Sequence, residues 1–301
     1  MNKQLIVVGG PTASGKTRLA IRLAKHFNTE IISADSRQFY REISIGTAKP
    51  TDEELAEVKH HFINSHSIQE NFNAGAFSDA ANKIIAELFK KNETVIVVGG
   101  SGLYIKSLVQ GLDDLPFVEE DIRRDLKTIF KEQGIQPLLD ELKEKDILYF
   151  EKVDQQNHQR VMRALEIIRT SGKPYSSFLG NKKTESSFET RCICIDHPRE
   201  ILYDRINSRV EEMMQHGLEA EARAVLPYRT HAALQTVGYK ELFEHFDGAT
   251  TLEHAIELIK QHTRNYAKRQ ITWFKHQGDF KFVDADAETE ELVKTLNIHL
   301  S

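Results

Sequence analysis

The chain has 301 residues, 40% hydrophobic and 28% charged, with a formal net charge of −5. That is the composition of a soluble globular protein with a sizeable core in one or two domains. No apolar run reaches the ~18–20 residues of a membrane span. The first apolar run, Leu5 to Val8, is too short for a signal peptide, so a cytoplasmic protein with no membrane partner is expected. The acidic balance does not mark a nucleic-acid binder, but the distribution matters more than the sum. No acid occurs from Leu258 to Gly278, which carries Lys260, Arg264, Lys268, Arg269 and Lys275. A second basic patch holds Arg160, Arg163, Arg169 and Lys173.

In chain order, "QLIVVGG" (4–10) reads as a buried strand, and "KTRLAIRLAKHF" (16–27) as a helix with Leu19, Ile21, Leu23 and Phe27 among its apolar positions. "TEIISADS" (29–36) is a second strand. "AFSDAANKIIAELFKKN" (76–92) is a helix, and "ETVIVVGGSG" (93–102) a third strand ending in glycines. Near-continuous apolar strands alternating with helices predict an α/β fold, a parallel sheet with helices on both faces. Past Leu112 the pattern becomes helical only, until "TRCICIDH" (190–197) restores a strand and "REILYDRINSRVEEMMQHGLEAEARAV" (199–225) a helix. The expected layout is an α/β core over 1–114, a helical insertion over 115–190, and a second core segment over 191–301 that ends in basic helices including Ala255 to Phe274.

Gly10-Pro11-Thr12-Ala13-Ser14-Gly15-Lys16-Thr17 fits the phosphate-loop pattern G-x-x-x-x-G-K-[ST] between a strand and a helix. The glycines let backbone N–H groups turn inward, and the helix presents its positive dipole end to the same place. Lys16 adds a point charge, and the Thr17 hydroxyl is a candidate ligand for Mg²⁺. The loop specifies an oligophosphate, as ATP or as a diphosphate leaving group, and does not separate a kinase from another transferase. Asp35, at the carboxyl end of its strand, suits either a metal-side carboxylate or a base taking an acceptor's proton. Cys192 and Cys194 fall on one face of a strand and read as packing residues. Adjacent His60 and His61 point apart and read as packing and hydrogen-bonding residues rather than a metal pair.

Further segments are "DSRQFYREISIGTAKP" (35–50), "HHF" (60–62), "VVGGSGLYIKSLVQGL" (97–112), "NHQRVMRALEI" (157–167), "SGKP" (171–174), "GLEAEARAV" (217–225), "TVGYKEL" (236–242) and "AKRQITWF" (267–274). Together with the phosphate loop they resemble the bacterial tRNA dimethylallyltransferases, also called tRNA isopentenyltransferases, over residues 5–275. The resemblance implies a phosphate-loop NTPase-like core with an inserted helical domain, acting as a monomer with Mg²⁺. It implies transfer of a dimethylallyl group from dimethylallyl diphosphate to N6 of the adenosine 3′ of the anticodon. The loop, Gly10 to Thr17, then cradles the donor's diphosphate, with Thr12, Lys16 and Arg223 on the reacting groups and Asp35 as the base. Asp35, Ser36, Arg37 and Gln38 fall on the adenine side. Gln159, Arg160, Val161, Met162 and Arg163 contact the tRNA, with Ser101 and Arg123 near it. The target adenine must be extruded from its stacked anticodon loop. Gln159, Arg160 and Arg163 share a helix face, while Val161, Ala164, Leu165 and Ile168 are expected to pack. Glu42, Asn64, Ser101 and His158 depart from the family's usual residues. Three rivals are a small-molecule phosphate-loop kinase, a transferase prenylating free adenylate, and a nucleotide-switched RNA-binding module. The first two have no need of a basic helical insertion, and the third has little need of Asp35.

Overall fold

Two uninterrupted apolar runs, Leu5 to Val8 and Val95 to Val98, lie side by side in register at the centre of a sheet, Leu5 opposite Val95. A computed structural model describes residues 3–180 and 187–296. Its strands are β1 (Gln4–Gly9), β2 (Ile31–Ser33), β3 (His60–His61), β4 (Thr94–Gly99), β5 (Glu189–Asp196) and β6 (Phe280–Asp284). All pair in parallel, in the order β3-β2-β4-β1-β5-β6. Side chains alternate between the faces: Leu5, Val7, Ile32, Val95 and Val97 enter one core, and Ile6, Val8, Ile31, Ile96 and Val98 the other. Burial on both faces explains the unbroken apolar strands.

The helices are α1 (Lys16–His26), α2 (Asp52–Glu57), α3 (Ala74–Leu88), α4 (Gly102–Val109), α5 (Glu120–Gln133), α6 (Gln136–Lys145), α7 (Ile147–Phe150), α8 (His158–Ser171), α9 (Arg199–Gln215), α10 (Leu218–Val225), α11 (Tyr239–Phe246), α12 (Leu252–His276) and α13 (Thr289–Thr295). The first core is closed by α3, α4, α10, α11 and α12 through Phe77, Ile105, Ala222, Leu242 and Phe274. Leu19 and Leu23 of α1 and Leu292 of α13 close the second.

The chain divides into two units, one running to Val109 and resuming at Glu185, the other Gln110–Thr184. The second unit therefore starts a few residues before the 115–190 read from composition. It has its own core, in which Leu126 of α5 and Leu138 and Leu142 of α6 meet Val161, Ala164, Leu165 and Ile168 of α8. The Asn157 side chain caps α8 by accepting from the Arg160 N–H at 3.2 Å.

Elsewhere the structure is finer than the sequence pattern. The expected helix over 199–225 is α9 and α10, because Gly217 takes φ 97°, a left-handed conformation that ends one helix and opens the next. The edge strands β3 and β6 leave no signal in the sequence pattern, the first being two residues long and the second only partly buried. Cys192 and Cys194 both pack into the first core, and burial pushes both thiols up to about 12. His60 Nδ1 meets the Val58 carbonyl at 2.8 Å, and His61 Nε2 meets Glu30 at 2.6 Å.

Candidate active site

At the carboxyl end of β1 the chain turns through the glycine loop into α1. Ala13 (φ 62°) and Gly15 (φ 85°) take left-handed conformations, which curl the loop over the helix N-terminus. Lys16 folds back so that Nζ donates to the Pro11 carbonyl at 3.3 Å. Burial pulls its ammonium down to about 8, against the opposing pull of Asp35 and with a further push from the nearby Arg209. Gln270, on α12 and 6% exposed, clamps the loop from behind. It accepts from the Thr12 N–H at 2.9 Å and donates to the Gly100 carbonyl at 2.9 Å, joining the ends of β1 and β4.

Beyond β2, the Asp35 Oδ1 accepts from the Arg37 N–H at 3.0 Å, a turn that leaves Oδ2 without a hydrogen bond among the described residues. Ser101 fixes the same turn, since its hydroxyl accepts from the Ser36 N–H at 2.9 Å and donates to the Ser36 hydroxyl at 3.1 Å. Gln38 accepts from the Ser33 hydroxyl at 3.2 Å and donates to the carbonyls of Thr47 and Ala48 at 3.3 and 3.0 Å. Tyr266 of α12 stands beside Asp35, Ser101, Arg37 and Arg269, and burial pushes its hydroxyl up to about 12.

One cavity of about 1230 Å³ joins these groups. Thr12 to Thr17 line it, as do Asp35 to Gln38, Ser44 to Pro50, Arg209, His262, Tyr266, Arg269 and Gln270. All of these belong to the unit that holds the sheet. The glycine loop, two partly buried cations and a carboxylate with an unspent oxygen therefore line one cavity.

Residues 38–277 match the family model described as IPP transferase. The chain belongs to that family. The matched span starts after the phosphate loop, so loop and family match are independent observations. A protein of Christiangramia forsetii named tRNA dimethylallyltransferase is 48% identical over 97% of each chain. Among solved structures, a tRNA isopentenylpyrophosphate transferase from Bacillus halodurans is 36% identical, with a TM-score of 0.70 over 97% of this chain and 94% of that one. A eukaryotic dimethylallyltransferase, described as acting on tRNA, is 28% identical with a TM-score of 0.79, covering 98% of this chain and 76% of that one.

Within this family member the expected site residues divide. Thr12 to Thr17 and Asp35 to Gln38 line the cavity, while Gly10 and Pro11 are not among its lining residues. Arg223 is not there either. Its guanidinium pairs with Glu219 at 2.9 Å and covers the Phe246 ring at 4.1 Å, on the exposed side of α10. Arg209, one helix earlier, lines the cavity instead. Sequence periodicity missed it because α9 carries Arg199, Arg205 and Arg209 with nothing local to rank them. Val161 cannot touch RNA: it is fully buried among Leu126, Leu138 and Leu165, and Met162 packs against the same core. Gln159 and Arg160 are exposed. Arg163 donates to Glu166 at 2.8 Å, and Arg123 lies 3.4 Å from Glu120 and 3.8 Å from Glu166. The departures from the family pattern are absorbed locally. Glu42 accepts from the Ser67 hydroxyl at 2.6 Å and the Ile68 N–H at 3.0 Å, Asn64 accepts from Lys49 at 2.5 Å, and His158 stacks on Phe130 at 4.4 Å.

Proposed function

We propose that the chain transfers a dimethylallyl group from dimethylallyl diphosphate to N6 of the adenosine immediately 3′ of a tRNA anticodon, releasing diphosphate. The observation that carries this reading is the single cavity onto which the phosphate loop, Arg209 and Asp35 all open. The names of its relatives supply the substrate class.

Loop N–H groups, Lys16 and Arg209 hold the diphosphate and stabilise the charge that grows on it as the allylic C–O bond breaks. The adenine amine forms the new C–N bond and gives up a proton to Asp35, whose Oδ1 accepts from the Arg37 N–H and whose Oδ2 takes part in no hydrogen bond among the described residues. The Thr17 hydroxyl suits Mg²⁺: it lines the cavity and makes no hydrogen bond among the described residues. Among those residues no cluster of three His, Cys, Asp or Glu side chains would hold a cation alone. When bound, Mg²⁺ would neutralise part of the departing diphosphate's charge. Exposed Gln159 and Arg160 on α8 are the proposed tRNA contacts of the helical unit. Among the described residues no helix is long and apolar enough to cross a membrane, and a cytoplasmic location is part of the proposal. We propose that the chain acts as a monomer.

The test incubates the protein and Mg²⁺ with unmodified tRNA and either labelled dimethylallyl diphosphate or γ-labelled ATP. Prenyl label is expected in tRNA, and is expected to vanish with Asp35→Ala. Label moving only from ATP, or prenyl label found only on free nucleotide, refutes the reading.

A further inference from the structure

One carboxylate outside the proposed chemistry carries four hydrogen bonds. Glu221 of α10 accepts at Oε2 from the N–H groups of Ser44 (2.7 Å) and Ile45 (2.8 Å). At Oε1 it accepts from the Gly46 N–H (2.9 Å) and the Tyr239 hydroxyl (2.6 Å). Three successive amides converging on one anion form the concave arrangement by which backbones bind phosphates and carboxylates. Here the anion is the protein's own, reaching back across 175 residues of sequence to Gly46. Tyr239 is fully buried, and a Cβ on Gly46 would lie 2.5 Å from its hydroxyl oxygen, so only glycine lets the loop approach this closely.

The grip extends to the cavity through hydrogen bonds. The Thr47 hydroxyl donates to the Ile43 carbonyl at 2.8 Å, and Ala48 takes a left-handed φ of 47°. The Thr47 and Ala48 carbonyls then hold the Gln38 carboxamide, three residues along from Asp35. Lys49, whose Nζ donates to the Tyr40 carbonyl at 2.6 Å, has Glu221 as a nearby countercharge. Ser44 to Pro50 and Gln38 all line the cavity.

We propose that Glu221 is a positioning residue, whose grip on Ser44, Ile45 and Gly46 sets the cavity wall that holds Gln38 and the acceptor base beside Asp35. The proposal rests on the proposed function for the identity of the acceptor, and on the hydrogen bonds alone for the ordering of the loop. Replacing a carboxylate oxygen by an amide N–H₂ sets donor against donor at one or more of the three amides. A misplacement of about 1 Å at a reacting group costs roughly 100-fold in rate. No phosphate-loop residue is among the hydrogen-bond partners of Glu221.

The test compares wild type with Glu221→Gln and Tyr239→Phe by three readouts. These are amide hydrogen exchange over residues 43–48, affinity for a simple alkyl diphosphate, and kcat and KM for prenyl transfer to tRNA. Glu221→Gln should exchange faster at 44–46, keep alkyl diphosphate affinity within about twofold, and lose ~30-fold or more in kcat/KM for tRNA, since hydrogen bonds to charged groups each contribute ~1.5–3 kcal/mol. Tyr239→Phe, which keeps the three amides, should lose only several-fold, and it decides the matter where the glutamine variant does not fold. Unchanged exchange, or unchanged kcat/KM for tRNA in a folded variant, overturns the proposal. So does a matching loss of alkyl diphosphate affinity, which would make Glu221 a pin of the whole fold. If wild type transfers nothing to tRNA, the proposed function falls, and exchange with alkyl diphosphate binding still decides the loop.

Discussion

Replacing Lys16 by methionine tests whether the phosphate loop holds a charge that the fold itself disfavours. Burial brings the ammonium from its ordinary 10.5 to about 8, in spite of Asp35 beside it. Below pH 8 the ammonium is protonated in the folded and the unfolded chain, so the fold bears the full penalty of burying it. A gap of roughly 2.5 pH units at ~1.4 kcal/mol each amounts to ~3.5 kcal/mol. Lys16 lines an open cavity where water screens the charge, so ~1–3 kcal/mol is the expected size. Between about pH 8 and 10.5 the unfolded chain keeps a proton that the folded chain has lost, so wild-type stability from this group rises with pH and the penalty is gone above 10.5. Lys16→Met should therefore be more stable than wild type at pH 7, by a few degrees in Tm, and the advantage should vanish near pH 10.5. Melts of both proteins at the two pH values measure it, since other titrating groups cancel in the difference. Calorimetry with an alkyl diphosphate gives the functional counterpart: wild-type affinity should fall by up to tenfold per pH unit above about 8, with no such slope in the variant. A variant no more stable at pH 7, or a stability difference equal at both pH values, refutes the reasoning.

Two further predictions separate the arginines and the two faces of α8. Arg209→Gln should weaken donor binding by ~10–100-fold, the scale of a lost charge-assisted contact. Arg223→Gln should leave the donor KM near wild type and lower stability by no more than ~1 kcal/mol, as for an exposed pair. Equal effects on the donor KM would return Arg223 to the diphosphate. On α8, Val161→Ala should destabilise by ~1–3 kcal/mol through the cavity left in the helical unit's core, read in urea melts. Arg160→Ala should melt like wild type but raise the KM for tRNA several-fold, with a shallower salt dependence. An unchanged salt dependence would remove Arg160 from the RNA contacts.

What the sequence by itself determined was whatever depends on neighbours in the chain. Gly10 to Thr17 announce a phosphate loop because its anion-binding groups are consecutive backbone amides and the first turn of one helix. Val161, Ala164, Leu165 and Ile168 announce a packing face because helical period alone places them together. Asp35 is marked by its place at a strand's end. Tertiary structure decided the rest. Arg209 and Arg223 are both basic residues of helices in the expected 199–225 stretch, and the break at Gly217 separates the helix that reaches the cavity from the one whose arginine turns to Glu219 and Phe246. Gln270 clamps Thr12 across 258 residues, and Glu221 grips Ser44 across 177. Neither pairing leaves a periodic or local trace, because a long-range hydrogen bond depends on two atoms meeting in space and on nothing in the chain between them.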